Sequence, residues 1–276
     1  RAAAHARRTG GDGGPCPVVG SGFATSAPMA AFANGASGHA FELDDVHEEA
    51  ISHPGAVVIP AVLAIAAETG ASGLAVLEAI VVGYEAMGRA GIAVGPASHM
   101  LAGYHPTGQS GVFGSAAAVG RLLDFGSGMM THALGIAATF SSGTTEFNQS
   151  GGDTKRLHAG RAAEGGLTAA LLAADGFDGP ADGLAGRYGF CRISTTEPDV
   201  NLLTDNLGDR WMIDEITVKP YAACSDIHPL IDAALEIRGR GVRADDIAEI
   251  HAEVPTKAAE QNSQDGTTSV MASQYS

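Results

Sequence analysis

The sequence predicts a mainly α architecture: a large all-helical domain over residues 1–190, then the start of a smaller α/β domain over residues 191–276. Three observations predict it. The chain is 45% hydrophobic with 38 glycines and only 5% aromatic residues, and small side chains let helices pack closely. Apolar runs of helical length, separated by capping and breaking residues, fill the chain up to about residue 190. Beyond that point short alternating stretches take over, with the period of strands.

The elements follow in order. Residues 9–22 are rich in Gly and Pro and read as a loop. Ser26 and Pro28 open a helix that runs to Phe41, with Ser26 as its N-cap. Residues 42–53 either extend this helix or turn out of it, and His53-Pro54-Gly55 ends the stretch, because a residue before proline avoids the α region. Two apolar helices follow over residues 57–68 and 73–90, the second capped by Ser72. Gly103-Tyr104-His105-Pro106-Thr107-Gly108 is a turn into a helix over 109–123. A helix over 129–140 leads to a polar loop over 141–152, then to a long Ala-rich helix over 154–174, closed by Asp175-Gly176. Strand-like alternation marks residues 193–196, 215–219 and 248–254. An amphipathic helix over 225–238 lies between the last two, with Ile227, Leu230, Ile231, Ala234 and Leu235 on one face. No repeat period organises the chain.

Composition excludes several function classes. A net charge of −15 repels nucleic acid, and Arg7-Arg8 is too small a basic patch to offset it. No uncharged apolar run is long enough to span a bilayer; the greasiest, residues 56–67, is closed by Glu68. Three widely spaced cysteines, Cys16, Cys191 and Cys224, form neither a disulfide framework nor a CxxC metal site, which points to a reducing, cytoplasmic setting. The chain opens on Arg1 within helical sequence and stops at Ser276 without a closing signal, so it reads as part of a longer protein.

Chemistry concentrates in four stretches. Glu42, Asp44, Asp45, His47 and His53 sit beside one of the most apolar runs of the chain, and charge is costly there unless it is used. On a helix Asp44 and His47 would share a face, as would His39 and Glu42, and a carboxylate beside an imidazole suits proton transfer. The same residues also fit an ion-paired surface helix end, or a set of metal ligands that matches no standard zinc spacing. His105 stands on a turn at a helix start, where outward amides favour an anion. Lys155 and His158 share a face in the first turn of a helix, which is unfavourable for bases unless an anion sits there. Lys219 ends a strand, with Cys224, Asp226 and His228 just beyond. The glycines 108, 111 and 114 lack the preceding strand and following acid of a dinucleotide loop. Taken together, His, Lys and acidic groups from separated segments suit a small di- or tricarboxylate.

These strings resemble a known family. Asn34-Gly35, His39-Ala40-Phe41-Glu42-Leu43-Asp44-Asp45, His53-Pro54-Gly55, Gly83-Tyr84-Glu85, Tyr104-His105-Pro106-Thr107-Gly108, Lys155-Arg156-Leu157-His158-Ala159-Gly160 and Lys219-Pro220-Tyr221-Ala222-Ala223-Cys224 with His228 are similar, in order, to the MmgE/PrpD family. The resemblance implies a helical domain plus a lid domain, a homodimer, and a site between the domains that uses no cofactor or metal. It implies that this chain lacks the first helices and much of the lid. It places the family's acidic motif on Glu42, Asp44 and Asp45, its pocket histidines on His53 and His105, its lysines on Lys155 and Lys219, and its lid-side histidine on His228. Together with the spacing arguments, the expected catalytic set is His53, His105, Asp44 and Asp45, and the expected substrate contacts are Glu42, His47, Lys155, His158, Lys219 and His228. Many members carry Asp where Glu42 stands and Thr where Val46 stands, so the pocket is reshaped here. The expected activity is dehydration of a 2-methylcitrate-like hydroxy-polycarboxylate. An iminodisuccinate-like epimerase, a cis-aconitate-like decarboxylase and a non-catalytic polycarboxylate binder are the alternatives.

Overall fold

The computed structural model describes residues 1–150, 152–262 and 270–275. It is mainly α with two small antiparallel sheets. Helix α1 (Ala2–Gly10) leads to a hairpin of β1 (Cys16–Val18) and β2 (Phe23–Thr25) where the sequence predicts only loop; its glycines make the turn between these short strands. Helix α2 (Ala27–Gly38) ends before the acidic motif, and the chain turns out into β3 (Asp45–His47). Helices α3 (Gly55–Thr69) and α4 (Gly73–Ala93) follow, and Ser72 caps α4 by accepting the Ala75 N–H at 3.2 Å. A short α5 (Pro96–Leu101), the long α6 (Pro106–Leu122) and α7 (Ser127–Ala137) come next. Then come a turn of α8 (Phe147–Ser150) and the 21-residue α9 (Thr154–Ala174).

Helix α6 forms the centre. Its residues are buried from Pro106 to Gly120, with α3, α4, α7 and α9 around it. The small residues of the sequence explain how so many helices reach one axis. A Cβ on Gly166 would stand 2.3 Å from the Val112 carbonyl oxygen, so α9 and α6 touch backbone to backbone there. No helix among the described residues is long and apolar enough to cross a membrane.

After α10 (Phe190–Ser194) the chain runs through 3-10 turns to β4 (Ile216–Val218), then α11 (His228–Gly239), α12 (Thr256–Gln261) and α13 (Val270–Ser273). Two expected strands are absent. Residues 190–194 are helical, and residues 248–254 are exposed and irregular, because a strand persists only where its backbone groups find a neighbouring strand. The 215–219 strand does form, and its partner is β3: Asp45 pairs with Val218, Val46 with Thr217 and His47 with Ile216. This pairing carries the chain near residue 219 back to the acidic motif. The approach is fixed from behind by α4. Arg89 donates to Glu85 and to the carbonyls of Leu202, Asp205, Asn206 and Arg210, and the Glu85 carboxylate accepts the Met212 N–H at 2.9 Å. Of the apolar face foreseen over 225–238, Ile227, just before α11, is buried and Ile231 is half-buried, while Leu230 and Leu235 are exposed.

Candidate functional site

Glu42 follows the end of α2 with φ at +54°, in the left-handed region that a side chain rarely adopts. This conformation drives its carboxylate inward, where it is fully buried. Lys155, from the first turn of α9, donates to its Oε1 at 2.6 Å, and Lys219, just past β4, donates to its Oε2 at 2.9 Å. Burial alone would raise the Glu42 carboxyl; the charges of Lys155, His39, Lys219 and His53 outweigh it and hold the group far below the usual carboxylate range. The first-turn lysine that the helix dipole disfavours is thus answered by a buried anion from the protein itself.

Asp44 is equally engaged. His39 Nδ1 lies 2.5 Å from its Oδ2, His53 Nδ1 lies 3.6 Å from the same oxygen, and Lys219 Nζ lies 3.7 Å from Oδ1. Burial pushes this carboxyl up, but His39, His53 and Lys219 together bring it well below its ordinary value. His39, Asp44 and His53 place possible ligand atoms within 4.8 Å of one another. His39 Nδ1 is bonded to Asp44 Oδ2 and His53 Nδ1 to the Asp45 carbonyl, while His39 Nε2 and Asp44 Oδ1 are buried with no hydrogen-bond partner among the described residues.

His53 and His105 stand at the starts of α3 and α6. His53 Nδ1 is 2.8 Å from the Asp45 carbonyl, and its backbone N–H donates to Thr107 Oγ1 at 3.2 Å. Burial lowers the His53 imidazole to about 3 despite Asp44. His105 Nδ1 is 3.0 Å from His158 Nδ1. One of these nitrogens carries the proton and the other accepts it. Burial pushes His105 well below its ordinary value, and lowers His158 to about 4. Neutral imidazoles able to accept a proton thus stand beside two ammonium groups.

Glu42, His53, His105, Lys155 and Lys219 meet at one small cavity of about 30 Å³, and Ile51 lines it beside them. Phe147, Cys224, Asp226, Lys257 and Tyr275 are also in its lining, whereas Asp44, His39 and His158 stand behind it. Ile51, like Glu42, has positive φ, at +49°; two strained side chains at one cavity fit a site where geometry is fixed for use. Tyr275 lies under the Lys155 ammonium at 4.9 Å and against Phe147, and Lys257 pairs with Asp226 at 2.8 Å.

Not every sequence-predicted residue arrives there. The stretch after Glu42 is not helical, so Asp44 meets His39 and His53 rather than His47. His47 is buried on β3 with its Nε2 3.8 Å from Glu215, away from the cavity. Asp45 turns its carboxylate to the α3 N-terminus and Tyr84, not to the cavity. His228 bonds the Ala223 carbonyl at 3.2 Å and packs on Tyr221, outside the cavity lining. His158 reaches the site only through His105. In return, the predicted set omits His39, Phe147, Lys257 and Tyr275. His39 carried a signal, its place in the acidic motif. Lys257 and Tyr275 carried none, since no local pattern tells that a late segment folds over the cavity.

The model of the MmgE/PrpD N-terminal domain matches residues 1–203. The chain is 35% identical over 239 residues to cis-aconitate decarboxylase of Aspergillus terreus, an alignment covering 82% of this chain and 49% of that protein. It is 32% identical over 216 residues to cis-aconitate decarboxylase of Homo sapiens, covering 76% of this chain and 44% of the human protein. The chain therefore spans about half the length of the curated relatives it matches. On the domain match and these identities, this chain belongs to the MmgE/PrpD family.

Proposed function

We propose that residues 1–190 form the helical domain, and residues 191–276 the start of the lid, of a lyase acting on small di- or tricarboxylates. One observation carries the reading: segments around residues 42–53, 105, 155 and 219 bring two ammonium groups and two neutral imidazoles to one buried cavity. Lys155 and Lys219 hold substrate carboxylates, sharing them with Glu42. His53 and His105 exchange protons with carbon or with a leaving group. Asp44 orients His39 and His53. The present cavity has room for about one water, so it must widen to take a polycarboxylate.

Decarboxylation of an unsaturated tricarboxylate is the first reading, because the relatives are cis-aconitate decarboxylases. In such a reaction the bond from the CH2 carbon to its carboxylate breaks and its electrons form a terminal double bond. The former alkene CH then takes a proton from an imidazole that the bound polyanion has raised to its protonated form, and CO2 leaves. Dehydration of a 2-methylcitrate-like hydroxy acid is the second reading. Two separate imidazoles favour it, since one can take the alpha proton and the other can protonate the departing hydroxyl. Epimerisation of an iminodisuccinate-like substrate needs the same two groups and no leaving group.

Proton NMR of cis-aconitate, citrate, 2-methylcitrate and iminodisuccinate with the protein in deuterated buffer separates these readings. CO2 loss, water loss, or deuterium uptake without either identifies the reaction. Tight binding with no new signal from any of the four would leave only a binding protein. The acidic chain and its free, buried cysteines suit the cytoplasm, and a homodimer is expected in sedimentation.

A further inference from the structure

The Gly83-Tyr84-Glu85 turn of α4 is not part of the cavity lining, yet it lies directly behind it. Tyr84 is buried, and its hydroxyl donates to Asp45 Oδ2 at 2.7 Å. The same carboxylate accepts the Gly55 N–H, at 2.9 Å to Oδ1 and 3.2 Å to Oδ2. Gly55 has no room for a side chain. A Cβ there would stand 2.6 Å from Asp45 Oδ1 and 2.9 Å from the Tyr84 hydroxyl. Asp45 is therefore pinned between the first turn of α3 and the middle of α4.

The backbone of the pinned residue faces the other way. Its carbonyl lies 2.8 Å from His53 Nδ1. A carbonyl only accepts, so Nδ1 carries the hydrogen and the neutral ring keeps its lone pair on Nε2. The groups around the ring agree. Asp44 Oδ2, 3.6 Å from Nδ1, is a second acceptor on that side, and the His39 ring stands at 4.9 Å. The His53 backbone is held separately by Thr107. If Asp45 shifted, the ring would keep its backbone anchor but lose its one hydrogen-bonded acceptor on Nδ1, with only the Asp44 carboxylate left at 3.6 Å.

We infer that Tyr84 is a positioning residue which, through Asp45, holds the His53 ring with hydrogen on Nδ1 and the proton-accepting lone pair on Nε2. This rests on the reading of His53 as a proton-transfer group. It also gives Asp45 a role distinct from chemistry. Its carboxylate binds a helix start and a phenol, while its carbonyl sets a histidine.

The test is Tyr84→Phe, with Asp45→Asn as a second variant should the first not fold. The full chain is labelled with 15N-histidine, and the His53 signals are assigned by their loss in His53→Gln. The wild-type protein should show His53 as one tautomer, protonated at Nδ1. Tyr84→Phe, or Asp45→Asn in its place, should show mixed tautomers. In turnover, kcat should fall about tenfold or more, because small misplacement of a reacting group is costly. KM should stay within about twofold, since Tyr84 does not touch the cavity. The two kcat losses should also be less than additive in the double variant. A single Nδ1–H tautomer retained in the variants, or a change in KM alone, overturns the inference. If the wild-type protein turns over no polycarboxylate, the proposed function fails, and the imidazole spectra still decide the role of Tyr84.

Discussion

Lys219 Nζ lies 2.9 Å from Glu42 Oε2, although 177 residues separate them in sequence. The pairing of β3 with β4 brings them together, and Lys155 completes the arrangement from the start of α9 at 2.6 Å. One buried carboxylate thus joins the end of α2, the long helix α9 and the segment after β4.

Removing that carboxylate should be costly. Glu42→Ala leaves the buried Lys155 and Lys219 ammonium groups without this carboxylate, and breaking a buried pair costs about 3–5 kcal/mol. Glu42→Gln keeps an acceptor and should lose less. Urea unfolding of the three proteins measures this. A Glu42→Ala protein within about 1 kcal/mol of wild type would show that the lysines find other partners.

Stability should fall as pH drops below about 6.5. His158 is lowered to about 4 and His53 to about 3, burial being the main cause, so the unfolded chain takes up protons before the folded one does. The depressed carboxyls of Glu42 and Asp44 act further down. Their contribution is complete above the ordinary carboxylate range and is lost as the pH falls through their folded values. The raised carboxyl of Asp45 works in the opposite sense, favouring the folded state as it protonates. In His158→Asn the loss of stability between pH 6.5 and pH 4 should be shallower. An unchanged slope in thermal melts across that range would contradict this assignment.

Lys155→Met should lower kcat/KM for the accepted polycarboxylate by about a hundredfold or more, the usual scale for losing a group that stabilises developing charge. If the lysine only holds the bound carboxylate, KM rises and kcat stays. Steady-state kinetics at several substrate concentrations separates these outcomes. Wild-type kinetics in Lys155→Met would remove the residue from the site.

Two glycine substitutions should differ sharply. Gly166→Ala places a Cβ 2.3 Å from the Val112 oxygen and 2.7 Å from the Ala116 nitrogen, so α9 must move off α6. Overpacking of this kind costs about 1–3 kcal/mol or more. Gly128→Ala, in the first turn of α7, meets nothing within 4 Å. It should be neutral or stabilise by up to about 1 kcal/mol, through the unfolded chain. Melting temperatures of both variants check the packing of the central helices.

Much of this protein was legible in its sequence, because the signals involved are local. Helical periodicity, Ser72 as a cap, the break at His53-Pro54-Gly55 and the start of the long helix near Thr154 each depend on a few neighbouring residues. The motifs that carry the family likeness are similarly contiguous, so Glu42, Asp44, His53, His105, Lys155 and Lys219 could be named from them. Tertiary structure decided what each of them faces. A helical reading of residues 42–47 paired Asp44 with His47; the left-handed turn at Glu42 and the β3–β4 ladder paired it with His39 and His53 instead. Whether Asp45 points at the cavity or at Tyr84, and whether Tyr275 closes the site, depends on contacts between segments far apart in the chain. No periodicity encodes such contacts, since a side chain's direction is set by the backbone that packs against it rather than by its neighbours in sequence.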